Sequence, residues 1–410
     1  MTVSVQSSPV PLDRIVALVE QAVDPAVVER GRARQAAVWR GDEPDYLPLL
    51  LGHTEEGTPH ERRWKLAEHQ LMGGVRAPEF DAYPHYSLAE QVDSPEKMLS
   101  EYLWEILSWA RSRSDAQLAV RPYFINSLPE AFGARVEMNE QSGFVITDRP
   151  AKEALRDLDP ERLVHGRLFS RVLECAALFR ARVPRGVRVF PTDTGGPFVT
   201  AQALRGDAIF TDFYDDPEFV GALLDKCADI CIRAGRLLKR AVGEDETSGY
   251  HGALYMARGA IRVVDDASTN ISPEFHRELV LPRIRRVFAA FGGGWYHSCG
   301  VYRGHLDHLL AAPEITAFNF GNPEMWDDFN AVIGRIVRAG KVYYGGLPVR
   351  PGEQLERAMR RILRQTGGQR KGLILMLNGK GPWPQPEESM NLWHRLQDEM
   401  ARSADKFGKY

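Results

Sequence analysis

A histidine and a cysteine two residues apart, in His297-Ser298-Cys299-Gly300, form the sharpest chemical signal in the chain. In an extended strand, positions i and i+2 face the same side, so an imidazole and a thiolate there converge on one point. Zinc takes both donors, and a catalytic zinc normally has three protein ligands and one open position. Asp193, Asp266 and Glu324 are the candidates for the third ligand by strand-end position. A carboxylate oxygen in place of sulfur hardens such a site without abolishing zinc binding. The other reading of His297 and Cys299, a core cysteine beside a hydrogen-bonded histidine, stays open at this level.

Asp193 opens Asp-Thr-Gly-Gly-Pro, a carboxylate followed by backbone that a ligand can approach, although turns favour the same residues. Asp265 and Asp266 are adjacent and point to opposite faces, so at most one enters a pocket, and the other is expected to be a solvated or capping acid. Asn319 ends a further apolar run. Trp295 and Tyr344 suggest a pocket wall for a sizeable ligand, or plain core filling. Arg258, Arg262, Arg303 and Arg350 lie near predicted strand ends and suit carboxylates. Cys227 and Cys231, four apart on a helical stripe, and Cys175 read as small buried hydrophobes.

These side chains need a scaffold that brings strand ends together. Eight short apolar runs supply strands: Tyr46–Leu51, Leu118–Phe124, Val187–Pro191, Ile261–Asp265, Trp295–Cys299, Ile315–Phe320, Val342–Gly346 and Leu373–Asn378. Helical stretches separate them. Asp216-Pro217-Glu218 and Ser272-Pro273-Glu274 each place an N-cap, a proline and an acid at a helix start, and the second precedes Phe275, Leu279, Ile284, Val287 and Phe288 as an apolar stripe. Eight strands with helical crossovers predict a (β/α)8 TIM barrel, with functional residues at the C-terminal strand ends. A doubly wound sheet would want G-x-G-x-x-G after an early strand, whereas Gly292-Gly293-Gly294 precedes one. Residues 1–44 read as an N-terminal helical arm broken at Asp24-Pro25, 45–400 as the barrel and 401–410 as a polar tail. Residues 53–117 are expected to be an insertion over the barrel mouth that contributes to specificity.

Composition removes several function classes. Over 410 residues, 52 basic and 55 acidic side chains leave a net charge of −3, which argues against nucleic-acid binding. The 44% hydrophobic and 26% charged content is that of an ordinary globular protein. Four cysteines do not make a disulfide framework, and no run suits a membrane span or a signal peptide, so a cytoplasmic protein is expected.

Several motifs occur in a fixed order: Asp193-x-x-Gly-Pro, Ala201-x-x-Leu204-x-Gly206, Asp212-x-Tyr214-Asp215-x-Pro217-Glu218, Asp266 with Ile271-Ser272-Pro273-Glu274 and Leu281-Pro282, and His297-x-Cys299-Gly300. In this order the chain resembles the uroporphyrinogen decarboxylase superfamily, porphyrinogen decarboxylases and zinc methyltransferases that use corrinoids, over about residues 120 to 400. The resemblance implies a (β/α)8 barrel with its pocket at the C-terminal strand ends. His-x-Cys-Gly is similar to the methyltransferase branch, where both residues bind zinc and a cysteine on the last strand completes the set; Gly372–Lys380 has no cysteine. The porphyrinogen decarboxylases' R-Q-A-G-R segment is likewise unmatched by Arg30-Gly-Arg32-Ala-Arg34-Gln35. Three readings are open. The favoured one is zinc-assisted methyl transfer from a corrinoid or small methylated donor. The second is metal-free decarboxylation of a porphyrinogen-like polycarboxylate, with Asp193 or Asp266 as the catalytic residue that stabilises a developing cationic pyrrole while arginines hold side-chain carboxylates. The third is a non-catalytic corrinoid- or tetrapyrrole-binding barrel. Asn319, Arg350, Tyr344 and Trp295 are the expected substrate contacts, a corrinoid protein is an expected partner, and a homodimer is an expected state.

Overall fold

All eight apolar runs form strands in the computed structural model, which describes residues 9–51, 86–122, 124–139, 143–346, 353–377 and 386–407. They are β1 (Leu49–Leu51), β2 (Ala119–Val120), β3 (Arg188–Val189), β4 (Arg262–Val264), β5 (Gly294–Ser298), β6 (Ile315–Phe320), β7 (Val342–Gly346) and β8 (Leu373–Leu377). The chain divides into two compact units. The first holds residues 1–23, 54–108 and 118–245; the second holds 24–53, 109–117 and 246–410.

The second unit contains a six-stranded parallel sheet in the order β1-β8-β7-β6-β5-β4. Strands β4 to β8 are laid down in chain order, and β1 pairs with β8, as the first and last strands of a TIM barrel do. Because all six run the same way, their C-terminal ends lie along one edge. The register pairs Val264 with His297 and His297 with Asn319, so residues just past β4, late in β5 and late in β6 are neighbours. All five residues of β5 are buried, as expected of a parallel strand covered on both faces.

The entry to this sheet is held by ionic groups. Helix Pro25–Arg40 is capped by Asp24, whose side chain accepts from the Ala26 and Val27 N–H groups, and it ends at Gly41 with φ of 85°. Its Arg34 pairs with Asp45 and, at 2.8 Å, with the buried Asp115. Asp115 also accepts the Leu49 N–H at 3.0 Å, so one carboxylate joins that helix to β1.

In the first unit β2 and β3 form a parallel pair, and Arg135–Asn139 with Gly143–Asp148 form an antiparallel hairpin. Asp216 caps helix Pro217–Val242 by accepting the Phe219 N–H at 3.0 Å. Leu223, Leu224, Cys227, Cys231 and Leu238 on that helix are all buried. Helix Leu12–Ala22 belongs to this unit. Of the expected insertion, residues 53–85 lie outside the described residues, and the remainder contributes helices Leu88–Asp93 and Pro95–Ser112.

The helix expected after Ser272 departs from its 3.6-residue period. Ser272 caps it as predicted, but His276–Val280 is a π-helical turn before the α-helix Leu281–Ala289. The wider turn shifts the facing, and the buried residues are His276 and Val280 rather than Phe275 and Leu279. Pro282, which has no N–H to give the preceding turn, is the sequence trace of that shift.

Candidate metal centre

Three of the residues singled out by the sequence meet at the C-terminal edge of the second unit's sheet. The ligand atoms of Asp266, His297 and Cys299 all lie within 4.8 Å of one another. His297 Nε2 is 3.4 Å from Cys299 Sγ, as the same-face spacing on β5 requires. Asp266 opens the short 3-10 turn Asp266–Asn270, and its carboxylate accepts the Cys299 N–H at 2.7 Å. Gly321, just past β6, makes room for the sulfur: a Cβ there would stand 2.7 Å from Sγ.

The histidine is oriented by its neighbour strand. His297 Nδ1 donates to Asn319 Oδ1 at 2.5 Å, and Asn319 Nδ2 donates to the Tyr344 carbonyl at 2.7 Å. The second bond fixes which end of the amide faces the ring. Nδ1 therefore carries the proton, and the Nε2 lone pair is left toward Cys299 and Asp266, the tautomer a metal ligand needs.

Electrostatics favour a cation at this point. Burial pushes the Asp266 carboxyl above its usual range, against the pull of the Cys299 N–H and the Arg262 charge. Burial, and then the charge of Asp266, pushes the Cys299 thiol up as well. Two partly desolvated acids of like charge resist ionising together, and a divalent ion between them relieves both costs. One imidazole nitrogen, one sulfur and one carboxylate oxygen form a donor set that suits zinc and leaves a fourth position open.

The other expected site residues are distributed more widely. Trp295 lies one pleat below His297, edge-on to Tyr344 at 5.8 Å, with the Arg262 guanidinium 5.1 Å from its ring centre. Its indole N–H is buried without a hydrogen-bond partner among the described residues. Asp193 belongs to the first unit, at the end of β3, and pairs with Arg121 from the end of β2 at 2.5 Å. Arg258 donates to the Trp39 carbonyl, and Arg303 pairs with Asp327. Arg350 and the side chain of Glu324 lie outside the described residues.

Sequence reasoning missed the second acid. Asp265 is not solvated, and although it stands at the N-cap of the 3-10 turn its carboxylate caps no backbone N–H: it is 1% exposed and accepts from His276 Nε2 at 2.9 Å, Tyr296 Oη at 2.8 Å and Ser268 Oγ at 2.7 Å. Alternation put the two acids on opposite sides, and the π turn that turns His276 inward adds a buried imidazole to the Tyr296 and Ser268 hydroxyls around Asp265.

The family model for uroporphyrinogen decarboxylase matches residues 88–243, and the resemblance read from the ordered motifs is borne out. Among solved structures, a methyltransferase from Methanosarcina mazei superposes with a TM-score of 0.61 at 16% identity, over 90% of this chain and 99% of that one. At that identity the likeness is one of fold, and it places the α/β architecture with its parallel sheet among TIM-barrel-like proteins. No curated protein matches the chain in sequence. No described helix is long and apolar enough to cross a membrane.

Proposed function

We propose that the chain is a zinc-dependent methyltransferase of the uroporphyrinogen decarboxylase superfamily, built on a (β/α)8 barrel, with Asp266, His297 and Cys299 as the metal ligands. The observation that carries this reading is the convergence of those three donors within 4.8 Å, with the histidine tautomer already set by Asn319. The structural likeness to a protein named as a methyltransferase supports the choice of chemistry.

Zinc at this point would supply Lewis acidity that lowers the pKa of a thiol or water acceptor. The chain's own residues do the rest. Asn319 keeps the Nε2 lone pair of His297 pointed at the ion, and the Cys299 N–H steadies the Asp266 carboxylate. Trp295 and Tyr344 form an apolar floor that keeps the local dielectric low and strengthens the field of the charged groups. An unpaired buried donor costs about 1–3 kcal/mol, so the Trp295 N–H is the group expected to take a polar atom of a ligand. Arg350 is the further substrate-binding group of this reading, and a corrinoid, free or carried by a partner protein, is its methyl donor.

The test is methyl transfer from methylcobalamin to a small thiol, followed by the cobalamin absorbance change. Activity should require metal, disappear with a chelator and return with added zinc. Activity on a polycarboxylated tetrapyrrole that survives chelation would instead establish the decarboxylase reading.

A further inference from the structure

Behind the sheet, on the side of β5 away from the metal ligands, lies a chain of buried polar groups that the proposed chemistry does not use. His276 is fully buried in the π-helical turn. Its Nε2 meets Asp265 Oδ2 at 2.9 Å and its Nδ1 meets His308 Nε2 at 2.8 Å. The carboxylate can only accept, so Nε2 of His276 carries a proton toward Asp265. Tyr296 adds a second hydrogen bond to the same carboxylate oxygen, Ser268 bonds the other oxygen, and Tyr302 Oη donates to the Asp265 carbonyl. His305 packs edge-on against His276 with ring centres 4.9 Å apart. Asp266, His297 and Cys299 are the one group of converging donors among the described residues, so the three histidines do not make a second metal site.

We infer that His276, acting through Asp265 and Tyr296, is a positioning residue for the metal centre. Asp265 is bonded to Asp266 in the chain and Tyr296 to His297, and the Asp265 N–H donates to the His297 carbonyl at 3.0 Å. Four side-chain donors on one residue fix where the chain leaves β4, and therefore which way Asp266 faces. Without the imidazole donor the Asp265 carboxylate stays buried with one bond fewer, and the turn that presents Asp266 loses its anchor. The π turn has a use in this scheme, since a regular helix would bury Phe275 in place of the histidine.

This inference rests on the metal reading, and cobalt(II) separates the two. Titrating the full chain with cobalt(II) gives an affinity and, from the ligand-field and sulfur-to-cobalt bands, the geometry of the site. His276→Phe should weaken cobalt binding about 10–100-fold and shift those bands, the usual cost of losing a partner behind a metal ligand. His276→Gln, which restores a donor toward Asp265, should recover most of the loss. Tyr296→Phe, which keeps the volume and removes one donor, should weaken binding several-fold if His276→Phe does not fold. Val287→Ala, on the following helix, lowers stability without touching the network and should leave affinity unchanged. Wild-type affinity and spectrum in both His276→Phe and Tyr296→Phe, or equal losses in His276→Phe and Val287→Ala, would overturn the positioning role. A wild-type chain that binds no cobalt would instead remove the metal reading beneath it.

Discussion

Two aspartates stand at the ends of parallel strands, one in each unit, and they meet opposite fates. Asp193 at the end of β3 is neutralised by Arg121 at 2.5 Å. Asp266, past the end of β4, accepts a backbone N–H and faces an imidazole and a thiol. A guanidinium completes the first site electrically, while the second gathers acids and a neutral ring and is completed only by a cation. An acid at a strand end is therefore a position, and its neighbours from the next strands decide its chemistry.

The comparison breaks most directly on the ligands. Asp266→Asn, His297→Ala and Cys299→Ser should each weaken zinc binding by about two orders of magnitude or more, beyond the 10–100-fold typical of outer partners, while Asp193→Asn leaves it unchanged in a competition assay. Equal losses at Asp193 and Asp266 would erase the distinction. Asn319→Ala should cost about 10–100-fold in zinc affinity, because the His297 ring loses the partner that fixes its tautomer. Arg121→Ala should do the reverse, destabilising the first unit by about 1–3 kcal/mol in denaturant unfolding without altering zinc affinity, because it removes the guanidinium from a largely buried ion pair.

Much of this was legible in the sequence. Apolar runs of five to seven residues between helical stretches located all eight strands, because parallel strands covered on both faces are predominantly apolar. The His297 and Cys299 spacing placed both donors on one face for the same geometric reason. Which of Asp265 and Asp266 turns to that face was not legible, since it depends on the 3-10 turn beyond the strand end. The burial of His276 was hidden as well: a π turn breaks the 3.6-residue period, and Pro282 was the only mark it left. That Asn319 reaches His297 comes from the register of β5 against β6, which no local pattern encodes.

A smaller effect should separate the units in acid. His305 and His308 in the second unit are held down to about 4 by burial and by the neighbouring His276, and His394 to about 4 by burial and Arg34. Their neutral forms are favoured in the fold, so the stability they contribute is full above the ordinary value of 6.5 and lost as pH falls through it toward 4. The described part of the first unit contains one histidine, His165. Amide exchange between pH 6.5 and 4 should therefore show the second unit losing protection earlier; simultaneous loss would show that these histidines contribute little.

Metal content decides the central claim. Protein purified without chelators, or exposed to zinc and desalted, should retain one zinc per chain, and that zinc should be absent from Asp266→Asn, His297→Ala and Cys299→Ser and present in Asp193→Asn. A wild-type chain that holds no stoichiometric zinc and takes up none when it is added would show that Asp266, His297 and Cys299 are a structural cluster and would contradict the metal centre.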